Sequence, residues 1–296
     1  MYNEIAANKR RTFYMFFVFT ILVIGIGWAL SYYFDSQVIL YWAVGIAIVQ
    51  SWISYYFADS IALAVTGAKM ADGPEFRELN RLVENLSIAS GLPKPRVYVI
   101  DDPSPNAFAT GRDPKHAAVA VTTGLLKLLE KRELEGVLAH ELSHIGNRDI
   151  LVMTVAVTLV GTIVLISDIM LRSWFWGGSR RSSREGGGYI LLIALALAIL
   201  APFFAQLIQL SISRKREYLA DATGALMTRF PDGLASALLK IEAYEQPMRK
   251  ANRATAHLFI NEPFGEKEQE RTSWFATVFS THPPIKDRVA KLRGML

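Results

Sequence analysis

Cysteine is absent from the 296 residues, which excludes a disulfide framework, a thiolate metal site and a cysteine nucleophile. No G-x-x-x-x-G-K-[ST] segment occurs either, so no built-in ATPase is expected. Histidine is scarce, at five residues, so two of them at a ligand spacing carry weight. Charge is nearly balanced, 32 Lys and Arg against 27 Asp and Glu for a net +5. The basic clusters, Lys9 to Arg11 and Arg180, Arg181 and Arg184, flank apolar runs. Membrane topology accounts for that placement more simply than nucleic acid does.

What the sequence has in excess is apolar surface. Hydrophobic residues make up 51% and the mean hydropathy is +0.23. Four runs carry it: Phe13 to Phe34, Val38 to Phe57, Ile150 to Leu171 and Tyr189 to Ile212. Each approaches the roughly 20 residues that a bilayer-spanning helix needs. The first is long, has no A-x-A site after it and is followed at once by a second, so an uncleaved hairpin is expected rather than a signal peptide. The tight connection Asp35 to Gln37 lacks Lys and Arg, whereas Lys9, Arg10, Arg11 and Lys69 lie on the outer flanks. The positive-inside rule then places the N-terminus and the chain beyond Phe57 in the cytoplasm. Between the last two runs, Arg172, Arg180, Arg181 and Arg184 favour an inside loop while run length favours two full spans; spanning is the expectation here, because the early hairpin fixes orientation.

The stretch from Leu134 to Asp149, LEGVLAHELSHIGNRD, contains His140, Glu141 and His144 as H-E-x-x-H. Residues i and i+4 share a helix face, so both imidazoles can reach one metal ion while Glu141 stands beside its open position. Zinc suits neutral imidazoles, and a catalytic zinc lowers the pKa of its water to about 7. Glu141 would take that water's proton.

Upstream, Pro74 opens a helix patterned by Phe76, Leu79, Leu82, Val83 and Leu86, and Gly91 stops it. Arg96 to Ile100 and Ala117 to Val121 read as strands, with Asn106, Ala107, Phe108 and Ala109 and a turn at Gly111 to Pro114 between them. A sheet edge near the motif could hold an extended peptide over the metal; a turn-rich connection is the plainer reading. Thr122 or Thr123 caps a short helix, and Arg132 or Glu133 opens the helix that bears the motif.

A third ligand is still needed. The extended H-E-x-x-H-x-x-G-x-x-H pattern cannot supply it, because Asn147 and Ile150 occupy its last two positions. Glu217, in RKREYLAD after the fourth run, is the candidate; alone it would read as a solvated carboxylate at a membrane edge. Asp221, one helical turn on, could accept a hydrogen bond from a ligand imidazole. Downstream come an amphipathic helix with Leu234, Leu238, Leu239 and Ile241, then Thr281, His282, Pro283 and Pro284 before a final helix with Arg288. His282 or Arg288 could donate to a developing oxyanion. A surface histidine ahead of two prolines is equally ordinary.

NAFATG at Asn106 to Gly111, HELSHIGNRD at His140 to Asp149, REYLAD at Arg216 to Asp221 and THPP at Thr281 to Pro284, in that order, make the chain resemble the bacterial HtpX heat-shock membrane proteases, relatives of the CAAX prenyl proteases. The resemblance covers the whole chain. It implies a zinc-dependent endopeptidase of the bacterial inner membrane, multi-pass, with a cytoplasmic active site, one Zn2+ per chain and membrane-protein substrates met in quality control and the stress response. Its motifs place His140, His144 and Glu217 as metal ligands and Glu141 as general base. They place Asp221 behind a ligand, His282 and Arg288 facing substrate, and Asn106 to Ala109 along the substrate edge. The expected fold is an α+β integral membrane protein, with four transmembrane helices and a mainly helical zincin-like domain holding a small sheet. Its expected parts are a membrane hairpin at 1–58, catalytic segments at 59–149 and 213–296, and a second hairpin at 150–212. Nucleic acid is not expected as a partner.

Two other readings compete. An active site inside the bilayer would bury Glu133, Glu135, Arg148 and Asp149 beside the motif, at a few kcal/mol for each ionised group. A zinc-holding adaptor or chaperone without peptidase activity would have no use for Glu141.

Overall fold

The computed structural model describes residues 2–33, 35–156, 158–159, 214–244, 246–249, 255, 258–261 and 283–295. Helices α1 (Tyr2–Tyr33) and α2 (Gln37–Tyr56) pack against each other as a hairpin, turning through Asp35 in the left-handed region (φ 49°). Segments Ile5–Ala29 and Gln37–Tyr56 are long and apolar enough to cross a membrane. Their surfaces expose Phe13, Trp28, Trp42, Ile48 and Trp52. Water would penalise so much uncovered apolar surface, and lipid would not.

Helix α3 (Ala58–Thr66) leads into a four-stranded mixed sheet of β1 (Lys69–Met70), β2 (Arg96–Ile100), β3 (Ala107–Gly111) and β4 (Ala117–Thr122), in the order β1-β2-β4-β3. Strands β2 and β4 are parallel, and the two outer pairings are antiparallel. The stretch expected to connect two strands is therefore itself a strand. Small side chains at Ala107 and Ala109 hide its alternation, yet β3 pairs with β4 along its whole length. Side chains alternate between two buried faces. Val97, Val99, Ala107, Ala109, Val119 and Val121 enter the core shared with the catalytic helices. Ile100, Phe108, Ala118 and Ala120 enter a second core with Phe19 of α1 and Leu63 of α3. The sheet is thus the plate between the membrane helices and the rest.

Helix α4 (Arg77–Ser90) follows a single 3-10 turn at Pro74–Phe76 and stops at Gly91, which sits in the left-handed region at φ 68°. Helix α5 (Thr123–Leu128) is capped by the Thr122 hydroxyl, which accepts from Leu125 N–H. Helices α6 (Lys131–Gly146), α7 (Arg214–Thr228), α8 (Pro231–Glu242) and α9 (Ile285–Arg293) follow, and residues 149–156 are helical as well. Helix α6 is central, touching α4, α7, α8, β3 and β4. It begins one or two residues before the expected Arg132 or Glu133, because Glu130 and Glu133 form a reciprocal capping box.

The third apolar run starts inside the protein. Ile150, Val152 and Ala156 have no exposed surface, and Leu151, Met153 and Val155 cluster with Phe19, Phe108 and Met248. Residues 160–213, and with them the question of four spans, lie outside the described residues. Two spans are what the described residues support.

Candidate metal centre

Helix α6 carries His140 and His144 one turn apart on a fully buried stretch. The two Nε2 atoms face each other at 3.1 Å. Glu217 from α7 completes the group, with Oε2 3.8 Å from His140 Nε2 and Oε1 3.5 Å from His144 Nε2. The three donor atoms all lie within 4.8 Å of one another. Close helix packing makes this possible: a Cβ at Gly224 of α7 would sit 3.0 Å from His140 N, so glycine lets α7 approach the metal helix there. Glu141 is buried on the same turn of α6.

Each imidazole is held from behind. His140 Nδ1 lies 2.9 Å from Asp221 Oδ1, and Arg288 grips Asp221 through Nε (2.9 Å) and Nη2 (2.7 Å). His144 Nδ1 lies 3.0 Å from Asp149 Oδ2, and Arg216 Nη1 donates to Asp149 Oδ1 at 3.0 Å. The site therefore contains two parallel histidine, aspartate and arginine chains. Since carboxylates only accept, each Nδ1 bears a proton, which leaves each Nε2 as the nitrogen that can offer a lone pair to a metal.

The two Nε2 atoms stand 3.1 Å apart, a separation that calls for a positive charge between them, either a proton or a metal cation. Tetrahedral zinc with Zn–N of about 2.0–2.1 Å separates two ligand nitrogens by about 3.3 Å, close to what is found. The electrostatics agree. Burial opposes a charge on His144, but the Asp149 hydrogen bond and the charges of Glu217, Asp149 and Glu141 prevail and raise its pKa to about 9. Asp221 is drawn down to about 2, because the His140 hydrogen bond and the Arg288 charge overcome a burial that would push it up. The residues present thus demand positive charge at one point, and two nitrogens and a carboxylate suit zinc.

Arg288 has no exposed surface, and its Nη1 lies 3.8 Å from Glu217 Oε2 with no hydrogen bond among the described residues. The sequence-stated candidates at the sheet edge are placed less simply. The Asn106 side chain is consumed inside the fold, donating to Asn261 O (2.9 Å) and accepting from Asn261 N–H (3.2 Å). Phe108 stacks edge-on with Phe259 on the face away from α6. The Ala107 carbonyl accepts from Ile260 N–H at 3.0 Å. Ala109, one repeat along the same edge, is bordered by no such bond among the described residues. His282 lies outside the described residues.

Sequence reasoning missed Asp149 and Arg216. Both stood inside quoted motifs, but a carboxylate five residues beyond His144 cannot face it on an unbroken helix. The chain breaks at Arg148, a non-glycine residue at φ 59°, and that turn swings Asp149 back.

A family model described as Peptidase family M48 matches residues 74–296. Curated relatives bear the description "Protease HtpX homolog". One from Caldanaerobacter subterraneus subsp. tengcongensis is 46% identical, covering 100% of this chain and 98% of its own. One from Thermoanaerobacter pseudethanolicus is 47% identical with the same coverage. One from Pyrococcus furiosus is 47% identical over 92% of this chain and 90% of its own. Among solved structures, S. mikatae Ste24p superposes with a TM-score of 0.50 at 16% identity, covering 99% of this chain and 67% of that one. At that identity the likeness is one of fold.

Proposed function

The chain belongs to peptidase family M48 and is a membrane metalloprotease, and from that premise we propose that it is a zinc-dependent endopeptidase with one Zn2+ held by His140, His144 and Glu217. The observation that carries the reading is the 3.1 Å confrontation of two Nε2 atoms whose Nδ1 atoms are both committed to carboxylates.

Zinc in this place would supply Lewis acidity and bring a water's pKa to about 7. Glu141 accepts the proton of the attacking water and returns it to the leaving amine, as general base and then general acid. Asp149 and Asp221 keep the Nδ1 protons in place, fixing tautomer and ring orientation so that both Nε2 lone pairs stay inward. Arg288 secures Asp221, and its Nη1 stands 3.8 Å from Glu217 Oε2; His282, from the THPP motif, would face the substrate with it. The scissile peptide would lie extended along β3, bonded through the backbone at Ala109. Asn106, Ala107 and Phe108 support that edge from within.

The substrates proposed are misfolded or damaged membrane proteins, cut at the cytoplasmic face of the bacterial inner membrane. Support comes from the basic flanks of the first hairpin and from the sheet that joins α1 to the metal helix. Purified protein should cleave casein or a membrane-protein substrate, lose the activity to a chelator and regain it with added zinc. Cleavage that survives complete metal removal overturns the proposal.

A further inference from the structure

Asn8 lies on α1, the first membrane helix, yet it is completely buried against the metal centre. Its Nδ2 donates to Asp149 Oδ1 at 2.7 Å and to Asn147 O at 3.0 Å. Its Oδ1 accepts from Arg216 Nη1 at 3.3 Å and from Arg11 Nη1 at 3.2 Å. Acceptors alone surround one end of the amide and guanidinium donors alone the other, which fixes its orientation chemically. Two of these four bonds bear on one carboxylate: Asn8 donates to Asp149 directly and accepts from Arg216, which donates to the same oxygen.

That carboxylate is the one behind His144. Asp149 Oδ2 faces His144 Nδ1, while Oδ1 receives both Asn8 and Arg216. The plane of the carboxylate, and hence the direction of the imidazole, is set by three groups from three parts of the chain. Among the described residues nothing comparable from α1 reaches Asp221, whose partners there come from α6 and α9. Apolar packing would dock α1 without a buried amide, since Phe19 already enters the core beside Phe108.

We propose that Asn8 is a positioning residue for the ligand His144, acting through Asp149, so that docking of the first membrane helix is built into the metal centre. The inference rests on reading His144 as a zinc ligand, and the test separates the two.

Full-length protein in lipid nanodiscs is titrated with zinc against a chromophoric chelator, as wild type, Asn8→Ala, Asn8→Asp, Asp149→Asn and the Asn8→Ala/Asp149→Asn double variant. Partners directly behind a ligand typically change affinity by about 10–100-fold. Asn8 stands one bond further out, so Asn8→Ala should weaken zinc binding by about 3–10-fold. It should lower kcat with KM unchanged; the melting temperature of the metal-free protein falls as well, because buried partners lose their hydrogen bonds. Asn8→Asp keeps the shape, removes the donated hydrogen bonds and sets a carboxylate against Asp149; it should lose at least as much. In the double variant the Asn8 effect should vanish, because its route through Asp149 is already cut. Zinc affinity unchanged in Asn8→Asp overturns the inference, as does a fall in metal-free melting temperature with affinity intact, or full additivity in the double variant. Should Asn8→Ala fail to fold, the isosteric Asn8→Asp decides. Wild type that binds no zinc would instead remove the metal reading on which all of this stands.

Discussion

At the scale of single residues, the site consists of atoms whose freedom has been removed. His140 and His144 each lose one nitrogen to an aspartate, and each aspartate is held by a buried arginine. Buried ion pairs of this kind rarely add net stability, because desolvation offsets the attraction. Their use here is direction. Asp149→Ala and Asp221→Ala should therefore each weaken zinc affinity or kcat by about 10–100-fold, and each should also lower stability, because a buried arginine is left without its carboxylate. Zinc titration and steady-state kinetics check this, and a wild-type result for Asp149→Ala would show that His144 needs no partner. The spacing of His140, Glu141 and His144 was legible because a helix makes i and i+4 neighbours, and Glu217 because a third ligand had to exist. Asp149 was not, since its approach depends on the left-handed turn at Arg148. Asn8 gave no local signal at all: its partners lie 139 and 141 residues away.

At the scale of elements, α6 is gripped from several sides, and glycine permits two of the contacts. A Cβ on Gly136 would lie 2.6 Å from Leu234 N and 2.9 Å from its Cα in α8. In an exposed helix, exchanging Gly for Ala gains about 1 kcal/mol; here the methyl meets backbone that cannot rotate away. Gly136→Ala should instead destabilise by about 1–3 kcal/mol, the range for overpacking, as read by thermal or denaturant unfolding. An increase in stability would mean that α6 and α8 are less closely packed than described. Helix α4 and strands β2 and β4 were readable from periodicity and from the Gly91 stop, whereas the short α3 and β1 were not. Strand β3 was not, because alanines and a glycine conceal the alternation that Val97 and Val99 display in β2. The expected substrate stretch is correspondingly narrowed: the side chains of Asn106 and Phe108 serve the fold, leaving backbone as what the edge can offer.

At the scale of the whole molecule, two cores on opposite faces of one sheet join the membrane hairpin to the metal helix. The absence of cysteine makes orientation directly testable with single cysteines and a membrane-impermeant thiol reagent on intact cells. Ser36→Cys in the α1–α2 turn and Ser182→Cys in the loop between the last two apolar runs should label, whereas Asn85→Cys, on the exposed face of α4, should not. A cysteine at the buried neighbour Ser87 would be protected by burial alone and so would not report orientation. Labelling at 85 would reverse the orientation, and protection at 182 would mean that the second pair of runs does not span. Composition made the first hairpin legible; the third run opens with Ile150 to Ala156 buried in the protein, and the expected second hairpin lies outside the described residues. The central claim is that these buried groups hold zinc beside a carboxylate that moves the proton of water. Its most direct test is Glu141→Gln, assayed for zinc content and peptide hydrolysis on the same preparation. The account predicts one zinc per chain, as in the wild type, with hydrolysis abolished, because the amide keeps the shape and cannot accept the proton; cleavage at the wild-type rate would contradict it.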